Sequence, residues 1–132
     1  MYLEPSALVG ILLEEPDRDQ LLAKLVQAER PVMSVVGQVE AALSFGKSIG
    51  DYAVAGGIVA ETIDRLGVEV AAVPSDIFGD VITCYARYGR GTGHGAKLNF
   101  GDCFSYVMAK RLADGLILFK GADFSKTDLT PA

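Results

Sequence analysis

Four short apolar runs, separated by longer stretches of helical period, constrain this chain more than anything else in it. Met1 to Leu3, the β-branched run Val32 to Val36, Val68 to Val73, and Leu116 to Phe119 read as strands. The segments between them read as helices. Ser6 is expected to cap a first helix with Ala7 to Leu13 as its apolar body, ended by Pro16. A second runs from about Arg18 to Glu29, with Leu21, Leu22, Leu25 and Val26 on one face. A third carries Val39, Ala42, Leu43 and Ile49, and a fourth spans Asp51 to Leu66, closed by Gly67. Pro74 to Tyr88 is amphipathic, and a last helix opens around Asn99 and runs to about Ala113. Strands that alternate with helices form a parallel sheet covered on both faces. The expected fold class is therefore α/β: a three-layer α/β/α sandwich with a central, mainly parallel sheet of four or five strands. The tail from Ser125 would supply the fifth, at an edge. A length of 132 residues suits one domain, residues 1–132.

Half of the residues are apolar, yet no run approaches a membrane span, and no basic, signal-like segment precedes Glu4 and Pro5. A cytoplasmic protein with no membrane association is expected. Cys84 and Cys103 are the only cysteines and sit in helical, apolar stretches, so they read as buried thiols. With one histidine beside them they fall short of a structural zinc site. The net charge of −5 argues against broad electrostatic attraction to nucleic acid. Two features offset it: cations bound at a carboxylate cluster invert the local field, and basic residues group locally. Arg87, Arg90 and Lys97 form one such group, and Lys110, Arg111, Lys120 and Lys126 another; the ordinary alternative for each is a solvated surface charge. Gly89 to Gly95 is rich in glycine but lacks the Lys-Ser/Thr ending of a phosphate-binding loop, and it reads as a mobile connector.

In an open parallel sheet, ligands gather outside the carboxyl ends of the strands. Glu4 follows the first strand, Glu40 lies early in the helix after the second, Asp102 opens a helix beside Asn99, and Asp123 follows the fourth strand. Gathered carboxylates repel one another, and hard cations such as Mg²⁺ or Mn²⁺ relieve that repulsion through oxygen ligands. Such a site supports metal-assisted phosphodiester hydrolysis without a histidine, cysteine or serine nucleophile. The plain alternative is that Glu40 and Asp102 only complement helix N-termini. Asp76 and Asp80 read as the same kind of helix-end charge.

Taken together, four segments resemble PIN-domain ribonuclease toxins of the VapC type. These are Met1 to Asp17; Ser34 to Ala42, which places a motif glutamate at Glu40; Leu98 to Lys110, which places an aspartate at Asp102; and Leu118 to Leu129. The resemblance covers essentially the whole chain and implies a PIN-like fold. It implies a Mg²⁺-dependent endoribonuclease of a type II toxin–antitoxin pair, with Mn²⁺ as a substitute. RNA would be the substrate, a cognate antitoxin protein the partner, and a homodimer the assembly. By this resemblance Glu4, Glu40 and Asp102 hold the metal, Asp123 joins them in catalysis, and Ser6 and Asn99 support the site. Arg87, Arg90 and Lys97 would edge the RNA groove. The chain departs from the pattern at Glu4, where the family has aspartate, and at Ala122-Asp123, where two acids are often adjacent. The first departure keeps a second reading open: an attenuated or inactive module that binds antitoxin or RNA without efficient turnover. A receiver-type α/β domain is a weaker alternative, since no acidic pair ends the first strand.

Overall fold

The computed structural model describes residues 1–132. Strand β1 (Tyr2–Leu3) lies at the centre of a five-stranded, wholly parallel sheet. On one side of it lie β2 (Val32–Ser34) and β3 (Glu69–Ala71); on the other lie β4 (Leu116–Leu118) and β5 (Thr130–Pro131). The order is β3-β2-β1-β4-β5. Tyr2 stands opposite Val32 and Ile117, and Leu3 opposite Leu118.

Side chains alternate between the two faces of the strands and so feed two cores. Tyr2, Val32 and Ile117 pack under α5 (Phe78–Tyr88) and α6 (Phe100–Leu112), with Val81, Cys84, Cys103 and Met108. Leu3, Met33 and Leu118 pack on the opposite face with Leu8, Leu25, Ala41 and Val59. Those partners come from α1 (Pro5–Leu12), α2 (Arg18–Gln27), α3 (Val35–Ile49) and α4 (Tyr52–Arg65). This is the expected three-layer α/β/α arrangement. Both cysteines are buried as free thiols. No helix is long and apolar enough to cross a membrane.

Two local expectations are corrected. Glu4, not Ser6, caps α1, because Pro5 occupies the first helical position; proline there fixes φ and has no N–H to be satisfied. Val35 and Val36 belong to α3 rather than to β2: the Ser34 side chain accepts from Gly37 N–H at 3.1 Å and starts the helix early. The glycine-rich segment connects α5 to α6, and hydrogen bonds tie it at several points. Leu98 N–H donates to Tyr88 O at 2.9 Å, Arg90 Nε to Lys97 O at 3.2 Å, and Lys126 Nζ to Gly95 O at 3.1 Å. His94 also sets its ring edge-on to Tyr88, with centroids 4.9 Å apart.

Candidate active site

The order of the strands reverses between β1 and β4, and a crevice at such a point is where open α/β sheets place their ligands. Glu4 leaves the end of β1 there, its N–H donating to Leu118 O at 2.9 Å. A cavity of about 220 Å³ lies beside it, lined by Glu4, Ser6, Glu40, Asn99 and Asp102 together with Pro5, Val9 and Ser44. Residues far apart along the chain thus meet in one small, mostly polar space.

Each side chain is held by its own local rule. As the cap of α1, Glu4 accepts Ser6 N–H on Oε2 at 2.8 Å, and the Ser6 hydroxyl donates to the same oxygen. The Ser6 hydroxyl in turn accepts Lys120 N–H at 2.9 Å, so the segment after β4 orients the carboxylate at the end of β1. Asp102 and Asn99 form a reciprocal capping box at the start of α6: Asp102 N–H donates to Asn99 Oδ1 at 2.9 Å, and Asn99 N–H to Asp102 Oδ2 at 2.7 Å. Glu40 projects from α3 against Gly101, where any Cβ would collide with both carboxylate oxygens. That close approach explains a glycine in the first turn of a helix, a place where it otherwise costs stability.

The electrostatics follow from burial. Glu4 is 4% exposed, and desolvation pushes its carboxyl up to about 8, with Asp102 and Glu40 adding repulsion. Glu40 is raised by desolvation and by Asp102; Asp102 is raised by desolvation and by Asp123, against lowerings from the Asn99 N–H and, less, from Arg90. Three carboxylates that resist ionisation in one another's presence, with Ser6 and Asn99 oxygens among them, form an all-oxygen donor set suited to a hard divalent cation. The side chains do not form a finished cage, however: no three His, Cys, Asp or Glu groups converge on one point. One oxygen of Glu4 and one of Asp102 are already engaged in capping bonds.

The other expected residues divide. Asp123 is exposed and lies in an adjoining cleft of about 670 Å³, with Arg90, His94 and Lys97 and the glycines between them. Arg90 and Lys97 are therefore together, but Arg87 is not with them. It stacks over the Tyr88 ring, 4.7 Å from its centroid, and faces a separate cleft between α5 and α6. The second basic group is largely neutralised: Lys110 pairs with Asp128 at 3.0 Å, Arg111 with Asp76 and Asp80 at 2.7 Å, and Lys120 with Glu15 and with Asp17. Asp76 and Asp80 thus tie α6 to the start of α5. Sequence alone assigns no site role to Gly101 and places Lys120 only in a basic group. Gly101 was detectable as a helix-start glycine beside Asp102. Lys120 had no local signal, since its acidic partners are over 100 residues away along the chain.

Known proteins are similar to this chain along nearly its full length. Ribonuclease VapC30 of Mycobacterium tuberculosis is 36% identical over 130 residues, covering 98% of this chain and 95% of its own. Ribonuclease VapC42 of the same species is 34% identical over 132 residues, covering 100% and 98%. Ribonuclease VapC of Mycolicibacterium smegmatis is 36% identical over 130 residues, covering 98% and 97%. Among solved structures, M. tuberculosis VapC20, a sarcin–ricin loop cleaving toxin, superposes with a TM-score of 0.75 at 16% identity, covering 98% of this chain and 95% of that one. At that identity it shows the fold. No family model matches the chain.

Proposed function

The chain belongs to the VapC ribonuclease family, and from that membership we propose that it is a metal-dependent endoribonuclease toxin of a type II toxin–antitoxin pair. The observation that carries the reading is the meeting of Glu4, Glu40 and Asp102 in one cavity at the switch point of the sheet. Mg²⁺, or Mn²⁺ in its place, would be held by these three carboxylates and when bound supplies Lewis acidity for water and phosphate. The chain's own residues do the positioning. The Ser6 hydroxyl fixes Glu4, and Asn99 fixes Asp102. Arg90 and Lys97 draw RNA phosphates into the adjoining cleft, where Asp123 lies near enough to Asp102 to raise its carboxyl. The partners are RNA, a cognate antitoxin protein and a second copy of the chain; the exposed stripe Val35, Val39 and Leu43 on α3 supports an apolar contact of that kind.

Cleavage of a panel of structured RNAs in Mg²⁺ and in Mn²⁺ tests this, with Asp102→Asn in parallel. The expected outcome is cleavage that EDTA abolishes and the variant lacks. Full activity in Asp102→Asn would overturn the mechanism. A second reading, a module that binds antitoxin or RNA without turnover, is favoured by one observation: buried Glu4 is already bonded to Ser6 and completes no ligand cage. Glu4→Asp separates the two. A large gain of cleavage in that variant would assign the attenuation to Glu4.

A further inference from the structure

Lys120 grips α1 at two points, although it does not line the carboxylate cavity. β4 ends at Leu118, so no strand ladder fixes Lys120, and Gly121 turns the chain away at φ 89°. The Lys120 N–H nevertheless donates to Ser6 Oγ at 2.9 Å, and that hydroxyl donates to Glu4 Oε2. The side chain lies along α1: a Cβ on Gly10, about one turn beyond Ser6, would collide with Lys120 Cδ. The ammonium reaches the turn after α1. There Glu15 N–H donates to Gly10 O at 3.0 Å, which brings the Glu15 carboxylate back toward the helix. Lys120 Nζ pairs with Glu15 and, at 2.7 Å, with Asp17. Exposed ion pairs contribute little to stability. This ammonium is instead shared by two acids on a side chain only 22% exposed, which fixes where the residue stands.

We propose that Lys120 is a positioning residue for Glu4: its ion pairs with Glu15 and Asp17 hold its own N–H against the Ser6 hydroxyl and so aim the carboxylate. The inference rests on the reading of Glu4 as a metal ligand. It assigns a part in that site to three charged groups outside the cavity.

Two variants of the full chain test it. Lys120→Met keeps the stem and removes the charge; the double variant Glu15→Gln with Asp17→Asn removes the partners. Amide hydrogen exchange is followed by NMR in EDTA. In both variants the Ser6 and Lys120 N–H groups should exchange faster by roughly fivefold or more, the protection that one hydrogen bond supplies. The Glu4 N–H, bonded to Leu118 O at 2.9 Å, should keep its rate. Mn²⁺ binding, read by electron paramagnetic resonance without RNA, should weaken about tenfold in both, as when an outer partner of a metal ligand is lost. The shared sign is diagnostic. Acting only through space, loss of a cation would tighten Mn²⁺ binding and loss of two acids would weaken it. Equal acceleration at Glu4 would mean a general loss of stability and overturns the proposal. Unchanged Ser6 exchange in either variant overturns it too, as does Mn²⁺ binding that Lys120→Met leaves unchanged or tightens. If the unaltered chain binds no Mn²⁺, the metal reading of the site fails, and the exchange pattern alone decides the role of Lys120.

Discussion

Burial sets the behaviour of Glu4 before any chemistry does. Its proton is held more tightly in the folded protein than in the unfolded chain. The contribution to stability is therefore complete below about 4.5 and is lost as pH rises to about 8. In metal-free buffer, thermal stability should fall across that window, at up to about 1.4 kcal/mol per pH unit where the group titrates. Glu4→Gln should flatten the profile and be the more stable form at the alkaline end. Melting curves of both proteins with EDTA check this, and parallel profiles would show that Glu4 does not titrate there. Asp128 works in the opposite sense. The Tyr106 hydroxyl and Lys110 lower it to about 2, and that contribution disappears only in strong acid. Gly101 makes a steric prediction. Gly101→Ala should displace the Glu40 carboxylate and lower metal-dependent cleavage at least tenfold at little cost in stability, because the atoms it meets are the far end of a flexible side chain. Unchanged cleavage would mean that Glu40 has room to retreat without loss.

At the scale of the element, the helix starts do more than begin helices. The caps of α1 and α6 are built from the side chains that face the cavity, Glu4 and the Asn99–Asp102 pair. Asn99→Ala should lower stability by about 1 kcal/mol, read as a shifted urea midpoint. It should also reduce cleavage more than that loss of stability explains, because Asp102 loses the partner that aims it. What was legible in the sequence follows the same division. Asp102 and Asn99 could be read because a capping box is local, with its partners three residues apart. The cap of α1 was misplaced by two residues because Ser6 is a common cap type, while the constraint from Pro5 is positional. Val35 and Val36 were misread because β-branched composition says strand, whereas the Ser34 hydroxyl starts a helix. The Lys120 ion pairs were invisible, since nothing in a local window relates it to Glu15 and Asp17.

For the whole molecule, a net charge of −5 sets a problem that the basic cleft answers locally. If Arg90 and Lys97 neutralise RNA phosphates, binding of a single-stranded RNA in EDTA should weaken with salt. Replacing both with alanine should reduce the slope of log affinity against log salt by roughly 0.7 for each phosphate left without its cation. Arg87→Ala should leave the slope unchanged, because that side chain opens onto a different cleft. Fluorescence anisotropy at several salt concentrations measures all three proteins, and an equal slope for each would move the RNA path elsewhere. The layered fold itself was readable from the alternation of apolar runs. The order of the strands was not, because period and composition do not say which strands pair.

That order has a consequence for the chain as it is made. Within this sequence the earliest strand is the middle of the finished sheet, and β4 and β5, which complete one flank, come after the other three. Glu4 gains its backbone partner only when Leu118 exists, and Ser6 its own only when Lys120 does. The cavity therefore closes only after the segment that carries Leu118 and Lys120 has left the ribosome.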